Sequence, residues 1–491
     1  MRLTLQSSPL AQVAADWLIV GLWEKETPRS SVAEFDAKLG GLLTKLREQG
    51  DVTGKAKELT PVYQCEGIVA RRLLLVGLGS RDKADFTGLL SATAAAAKML
   101  SAKPCQRVAL SLPDALNAET ALRACAHGFY QGCSTAGIRK NANERTPPEE
   151  VAFIVPAIDP SLQDSVRRAE SEGRSANLAR ELVNTPPCDL YPESFAERAR
   201  EIASKTGLEL QILDEPQLLA ERMNALLAVA RGSDRPPRLV VLRHRRGGAG
   251  PTLALVGKGV TFDSGGLSLK TTEQMVDMKC DMAGAAAVLG AMQTIAELQL
   301  PVNVLGVMAL VENMPSGKAM KLGDVLNARN GKTIEVLNTD AEGRLILADA
   351  LSYAVDLKAD HLVDLATLTG ACLVALGLDV AGLMSNDDAW CQKVLTASQA
   401  VGERAWPLPM FPQYREMIKS DVADIRNTGG SRYAGAISAA KFLEEFVGTT
   451  PWAHLDIAGP AWAEHENATR EAGGTGCFVR TLVELARTYG Q

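Results

Sequence analysis

Eight residues, Asn338-Thr339-Asp340-Ala341-Glu342-Gly343-Arg344-Leu345, limit what this chain can become more than any other stretch. A short β-like run, Thr333-Ile334-Glu335-Val336-Leu337, precedes them. Leu345-Ile346-Leu347-Ala348-Asp349-Ala350-Leu351, of helical composition and spacing, follows. Two carboxylates, with Arg344 two positions beyond the second, therefore stand where a strand hands over to a helix. In open α/β sheets that edge is where ligands bind. An ordinary helix start would also use such residues, with Thr339 or Asp340 as N-cap and Glu342 as charge in the first turn. Two upstream stretches shift the balance. One, 257–270, carries Lys258, Asp263 and Lys270; the other, 278–285, carries Met278, Cys280 and Asp281.

The rest of the chain alternates in the same way. In the N-terminal third, strands are expected at 17–23, 72–79, 108–112 and 151–155, and helices at 32–47, 84–100 and 119–131. A long helix over 164–183 ends at Asn184-Thr185-Pro186-Pro187, since prolines cannot continue it. The alternation then resumes, with strands at 208–213, 238–242, 252–256, 302–311, 358–365 and 453–457. Helices are expected at 193–205, 216–223, 283–298 and 433–447. Strands separated by helices predict parallel βαβ units. The expected fold is α/β with two α/β domains. A smaller N-terminal domain covers 1–163, a connecting helix and linker 164–190, and a larger catalytic domain 191–491. The larger one carries a mixed, mainly parallel central sheet flanked by helices.

Composition narrows the function. The net charge of −6 argues against a generic nucleic-acid or anionic-membrane binder, whose affinity needs excess Lys and Arg. The local cluster Arg243-His244-Arg245-Arg246 reads as a solvated turn. Nine Cys without a Cys-x-x-Cys pair suit free thiols in a reducing cytosol. No secretory signal is legible at the start, and the apolar window 362–384 is broken by Asp364, Asp379 and several Gly, which favours buried sheet over a membrane span. A cytoplasmic location is expected. The five His include no His-x-x-x-His pair, so any catalytic metal must be held mostly by carboxylates.

Lys258, Asp263, Asp281, Asp340 and Glu342 are the candidate ligands. Four carboxylates packed together would raise each other's pKa unless cations neutralise them. Two divalent ions close that charge balance. Lys258 as a ligand must lose its proton, which costs roughly 4 to 5 kcal/mol at pH 7. Two adjacent cations would penalise an ammonium by more than that. Cys280, beside Asp281, reads as a small buried residue and not as a nucleophile.

These three stretches resemble the signature of the cytosolic leucyl aminopeptidase family, which are dinuclear metallo-exopeptidases. The spacings from Lys258 to Asp263, Lys270, Asp281, Asp340, Glu342 and Arg344 all agree with that family. The resemblance runs from about Thr185 onward, and the N-terminal third agrees with the family's smaller α/β domain in length and pattern. It implies two divalent ions, Mn2+ or Zn2+, with Asp263 and Glu342 touching both, Lys258 and Asp281 completing the tighter site, and Asp340 the more exchangeable one. Lys270 is then a catalytic ammonium facing the substrate carbonyl, and Arg344 holds a bicarbonate that acts as a base. Met278, Thr367, Gly370 and Ala458 would line a pocket for the first side chain. The implied reaction releases N-terminal residues, preferably Leu and other hydrophobic ones, from peptides through a metal-bridging hydroxide. A homohexamer is implied as well. The segments 429–437 and 466–476 depart from the usual family wording, which leaves loops near the cleft open. Two competing functions remain. One is a two-metal phosphoesterase, disfavoured by a Lys ligand and the absence of His. The other is a DNA-binding regulator, since some relatives bind operator DNA; the acidic charge disfavours it.

Overall fold

The computed structural model describes residues 1–141 and 145–490. The chain divides into two compact units, Met1–Asn177 with His465–Ala472, and Leu178–Glu464 with Gly473–Gln491.

The first unit is built on a six-stranded sheet in the order Arg2–Gln6, Glu150–Ile154, Arg107–Ser111, Trp17–Trp23, Leu73–Gly79, Leu59–Val62. Neighbours are parallel except the last pair. Each face has its own core. One gathers Leu89, Phe129 and Phe153 around helices Phe86–Leu100 and Ala118–Gly132. The other gathers Phe35, Leu43 and Leu75. The single helix expected over 32–47 is two helices, Ser30–Lys38 and Leu42–Gln49. Gly40 and Gly41 separate them, with φ of +65° and +75°, values that stop a right-handed helix. Two edge strands go beyond the expected set: Arg2–Gln6, whose partner Glu150–Ile154 is distant in sequence, and Leu59–Val62, a four-residue run whose Pro61 reads against a strand. The late segment His465–Ala472 belongs here too, where Glu466 pairs with Lys98 at 2.6 Å and Glu471 with Arg145 at 2.5 Å.

The second unit holds an eight-stranded sheet in the order Ala405–Pro407, Ala381–Ser385, Trp452–Asp456, His361–Ala366, Thr252–Asp263, Asn303–Asn313, Arg238–Arg245, Glu209–Leu213. It is mixed and mainly parallel; the two antiparallel pairs at the Glu209 end and the Ala381–Ser385/Trp452–Asp456 pair are the exceptions. Thr252–Asp263 lies inside this sheet and is buried along nearly its whole length. Such near-continuous apolar runs are what parallel strands covered on both faces require.

Three expectations change. The strand at 252–256 continues to Asp263, so Lys258 lies within it and not after it. The strand before the octet is only Thr333–Glu335, and it joins a separate three-stranded sheet with Val325–Asn327 and Ile425–Arg426. Arg243 to Arg245 lie in a strand, not a turn, with His244 buried and its Nε2 2.8 Å from the Leu300 carbonyl oxygen. The window 362–384 contains strand His361–Ala366, helix Gly370–Leu376 and strand Ala381–Ser385. No helix among the described residues is long and apolar enough to cross a membrane.

The octet feeds helix Gly343–Asp356, which is buried through almost its whole length. Asp349 fixes this helix. Its carboxylate is fully buried and accepts from the Leu226 and Arg329 amides at 2.9 and 2.8 Å. Burial pushes its pKa up to about 7 against those two bonds.

Candidate metal centre

Lys258 and Asp263 are five apart on one strand, so simple alternation would send their side chains to opposite faces. A β-bulge corrects this. Val260 pairs with Val311 but Phe262 pairs with Glu312, so Thr261 is the extra residue. One inserted residue flips the alternation. Both side chains then serve the same cluster.

The cluster is tight. Lys258 Nζ lies 2.9 Å from Asp281 Oδ1 and 2.9 Å from Glu342 Oε1, and donates to the Thr367 carbonyl oxygen at 2.8 Å. Lys270 Nζ lies 2.8 Å from Asp263 Oδ2 and 2.5 Å from Asp340 Oδ1. Asp263, Asp340 and Glu342 each offer an oxygen within 4.8 Å of the others. Asp281 joins this trio through Lys258, and its Oδ1 also accepts from the Thr367 hydroxyl at 2.7 Å. All five candidate ligands and Lys270 are therefore brought together. The strand before Asp340 is not in the main sheet, so a shared sheet edge is not the reason. Loop-to-loop hydrogen bonds do the work instead.

Those bonds come from Asn313 and Asn427, which the sequence does not single out, and from Thr339, which caps no helix but bridges two loops. Asn313 donates to Asp263 Oδ1 at 2.8 Å and to the Thr339 carbonyl oxygen at 3.0 Å. The Thr339 hydroxyl donates to the Gly265 carbonyl oxygen at 2.6 Å and accepts from the Ser268 amide at 2.8 Å. Asn427 is fully buried; its Oδ1 accepts from the Leu337 amide at 2.9 Å and its Nδ2 donates to the Asn338 carbonyl oxygen at 2.7 Å. Its own carbonyl oxygen accepts from Arg344 at 2.9 Å. One residue thus holds the carboxylate loop and the arginine together. The only sequence signal is an isolated Asn after a two-residue strand, which is too common to read.

Gly343 is needed for close approach. A Cβ there would sit 2.6 Å from Lys258 Cε and Nζ, because the lysine side chain crosses the start of the helix. Any larger residue would displace it.

The electrostatics are those of crowded carboxylates. Burial raises Glu342 to about 8; Asp263 and Asp281 add to the rise and Lys258 opposes it. Burial likewise raises Asp281 and Asp340, with Asp263 adding to both. Burial disfavours charge on Lys258, but Asp281, Glu342 and Asp263 outweigh it and hold the ammonium above the usual lysine range. Burial pushes the Cys280 thiol up to about 12, which suits a buried small residue. Four carboxylates face two ammonium groups, leaving net negative charge inside. Glu342 Oε2 and Asp281 Oδ2 are buried with no hydrogen-bond partner. Orphaned buried oxygens in a hard, oxygen-rich donor set fit divalent cations. Arg344 is buried too, with its Nε lacking a hydrogen-bond partner, and burial pushes it down to about 10 while Glu342 and Asp456 oppose that.

The four side-chain pocket candidates are placed unequally. Thr367 touches Lys258 and Asp281 directly. Fully buried Asp456 accepts from the Leu368 and Ala458 amides, each at 3.2 Å, and from the Thr369 hydroxyl at 2.7 Å. It thereby ties the loop of Thr367 to Thr369, which leads into the helix beginning at Gly370, to Ala458. Gly370 is exposed, with open space where a side chain would be. Met278 is half-buried in the short turn Met278–Cys280, three residues before Asp281.

A model of the cytosol aminopeptidase family's catalytic domain matches residues 177–483, and one of the same family's N-terminal domain matches 19–136. A probable cytosol aminopeptidase of Rhodopirellula baltica is 48% identical over 453 residues, 92% of this chain and 88% of that protein. One of Solibacter usitatus is 44% identical over 491 residues, covering 100% of both. Among solved structures, a tomato leucine aminopeptidase mutant matches with a TM-score of 0.89 and 36% identity over 99% of this chain and 96% of that one. The bottromycin maturation enzyme BotP in complex with Mn matches with a TM-score of 0.84 and 36% identity over 96% of this chain and 99% of that one.

Proposed function

Because the chain belongs to the cytosol aminopeptidase family, and so is a metal-dependent exopeptidase, we propose that it releases Leu and other hydrophobic residues from peptide N-termini. The observation that supports the site is the buried oxygen cluster with its unpaired Glu342 Oε2 and Asp281 Oδ2. Asp263, Asp281, Asp340, Glu342 and Lys258 would hold two divalent cations, Mn2+ or Zn2+. When bound, the pair supplies Lewis acidity toward the scissile carbonyl and a water acidified toward neutral pH.

The chain's own groups do the rest. The Lys270 side chain is 13% exposed and is the ammonium at the open side of the cluster. It would donate to the carbonyl oxygen as negative charge develops there, a contact stronger in the transition state than before it. Arg344 is anchored through one N–H to Asn427 and keeps its buried Nε unpaired. An unpaired guanidinium donor suits a bound anion such as bicarbonate, which would carry the proton in a cluster that contains no His. Met278, Thr367, Gly370 and Ala458 would line the first side-chain pocket. Cytoplasmic location, and assembly into a homohexamer, complete the reading. Exposed Trp406, Phe411, Val422 and Tyr433 are apolar surface that assembly would cover. A light-scattering mass near six times 52.3 kDa is the expected result.

The activity is tested by chelating the protein, assaying amino-acid p-nitroanilides, then restoring Mn2+ or Zn2+. Activity should vanish and return, with Leu favoured over Gly by about 10- to 100-fold, as burial of a few methylenes allows. No recovery with either ion, or equal rates for Leu and Gly, would count against the reading. Asn427→Asp should lower kcat/KM by about 10- to 100-fold, the usual effect of losing a group that orients ligands. It keeps the side-chain volume but sets a carboxylate oxygen against the Asn338 carbonyl. An Asn427→Asp enzyme with wild-type kcat/KM would show that the carboxylate loop does not depend on it.

A further inference from the structure

The first unit contains a cavity of about 360 Å3 that the reaction does not use. Its position follows from the sheet. After Trp17–Trp23 the chain moves one way, to Leu59–Val62 and Leu73–Gly79; after Arg107–Ser111 it moves the other way, to Glu150–Ile154. These two neighbouring strands therefore form a topological switch point, and ligands of open α/β sheets bind beyond the carboxyl ends of strands there. The cavity is lined by Leu22 and Trp23 from the end of the first and by Ser111 and Leu112 from the end of the second. Its size lies in the range of small-molecule sites.

The lining combines an apolar floor with both signs of charge. Leu22, Leu78, Leu112 and Ile154 are apolar. At the rim, Arg81 pairs with Asp114 at 3.0 Å and lies over the Trp23 ring at 5.8 Å. Glu26 Oε2 is buried with no hydrogen-bond partner, yet sits 3.7 Å from both Arg29 and Arg81. A simple anion entering here would meet Glu26 and Asp114, and a simple cation would meet Arg29 and Arg81. A neutral apolar molecule would leave Glu26 Oε2 unsatisfied. We propose that this cavity binds a small zwitterion with an apolar tail, namely a free hydrophobic α-amino acid. Its ammonium donates to Glu26, its carboxylate accepts from Arg81 and Arg29, and its side chain lies on the leucine floor. The ligand class comes from the cavity alone; that such a molecule is also the enzyme's product rests on the aminopeptidase reading.

Calorimetric titration of the chelated full-length protein tests this with L-leucine, leucinamide and 4-methylpentanoate, which lack neither charge, the carboxylate and the amine respectively. L-leucine should bind saturably and each analogue at least 10-fold more weakly. Glu26→Gln and Arg81→Gln should weaken L-leucine at least 10-fold, while Asp340→Ala leaves its binding intact. No binding of L-leucine, equal binding of 4-methylpentanoate, or loss in Asp340→Ala with retention in Glu26→Gln would each overturn the proposal. The analogue series on the unmodified protein decides the matter if a variant does not fold. Leucine binding without p-nitroanilide turnover would sink the aminopeptidase reading and leave the cavity's ligand standing; the reverse result would do the opposite.

Discussion

Replacing Glu342 with Gln is expected to lower kcat/KM for Leu-p-nitroanilide by at least about 10^3-fold, equivalent to about 4 kcal/mol of transition-state stabilisation. The same change should leave the chelated protein no less stable than wild type. The two signs differ for a physical reason. Glu342 is 1% exposed, and its carboxylate is disfavoured by burial and by Asp263 and Asp281. Gln keeps the volume and holds the position neutral, as the retained proton does below about pH 8 in the chelated protein. Lys258 retains Asp281 at 2.9 Å, so it is not left unpaired. If Glu342 were simply half of a structural ion pair with Lys258, removing it would destabilise the fold by roughly 3 to 5 kcal/mol. Kinetics together with thermal unfolding in chelator therefore distinguish the readings. A variant that loses many degrees of melting temperature, with activity falling only as the folded fraction falls, would assign Glu342 to the scaffold.

The chelated protein should lose stability as pH rises from about 5 to 8, and divalent cations should reverse that trend. Glu342, at about 8 in the fold, and Asp281, at about 6, both lie above their ordinary values of 4.5 and 3.8. Between those limits the folded protein keeps protons that the unfolded chain has released. Stability then falls as pH rises, by up to about 1.4 kcal/mol per unit for each such group. Lys258 and Lys270 are held above the usual lysine range and stay charged across this window, so they contribute no slope. Asp349, at about 7, slopes the same way, but Glu342→Gln leaves it in place. The difference between wild type and that variant isolates the contribution of Glu342. Cations replace the protons, so Mn2+ should raise the melting temperature most at pH 8 and least at pH 5. A chelated wild type that gains stability toward pH 8 in parallel with Glu342→Gln would contradict this.

Much of the molecule was legible in the sequence because its signals are local. Apolar runs at 73–79 and 303–313, and the Ala-rich stretches at 86–100 and 283–297, announce strands and helices through period and composition alone. So do the residue types of the octet, and the family to which its wording points. Local signals also misled. The 32–47 helix read as continuous because its apolar spacing persists, while the left-handed Gly40 and Gly41 break it. Gly257 and Gly259 look like the end of the 252–256 strand, yet the strand runs on to Asp263, because a strand packed closely against a helix accepts glycine.

By itself, then, the sequence determined the alternating elements, the family, and the set of acidic and basic side chains available for chemistry. Their convergence was decided by the tertiary structure. The bulge at Thr261 puts Lys258 and Asp263 on one face, and Asn313, Asn427 and Asp456 bind loops that are distant along the chain. Periodicity reports which face a residue takes within its own element. Register shifts and long-range hydrogen bonds depend on which elements become neighbours, and that is set only when the whole chain has folded.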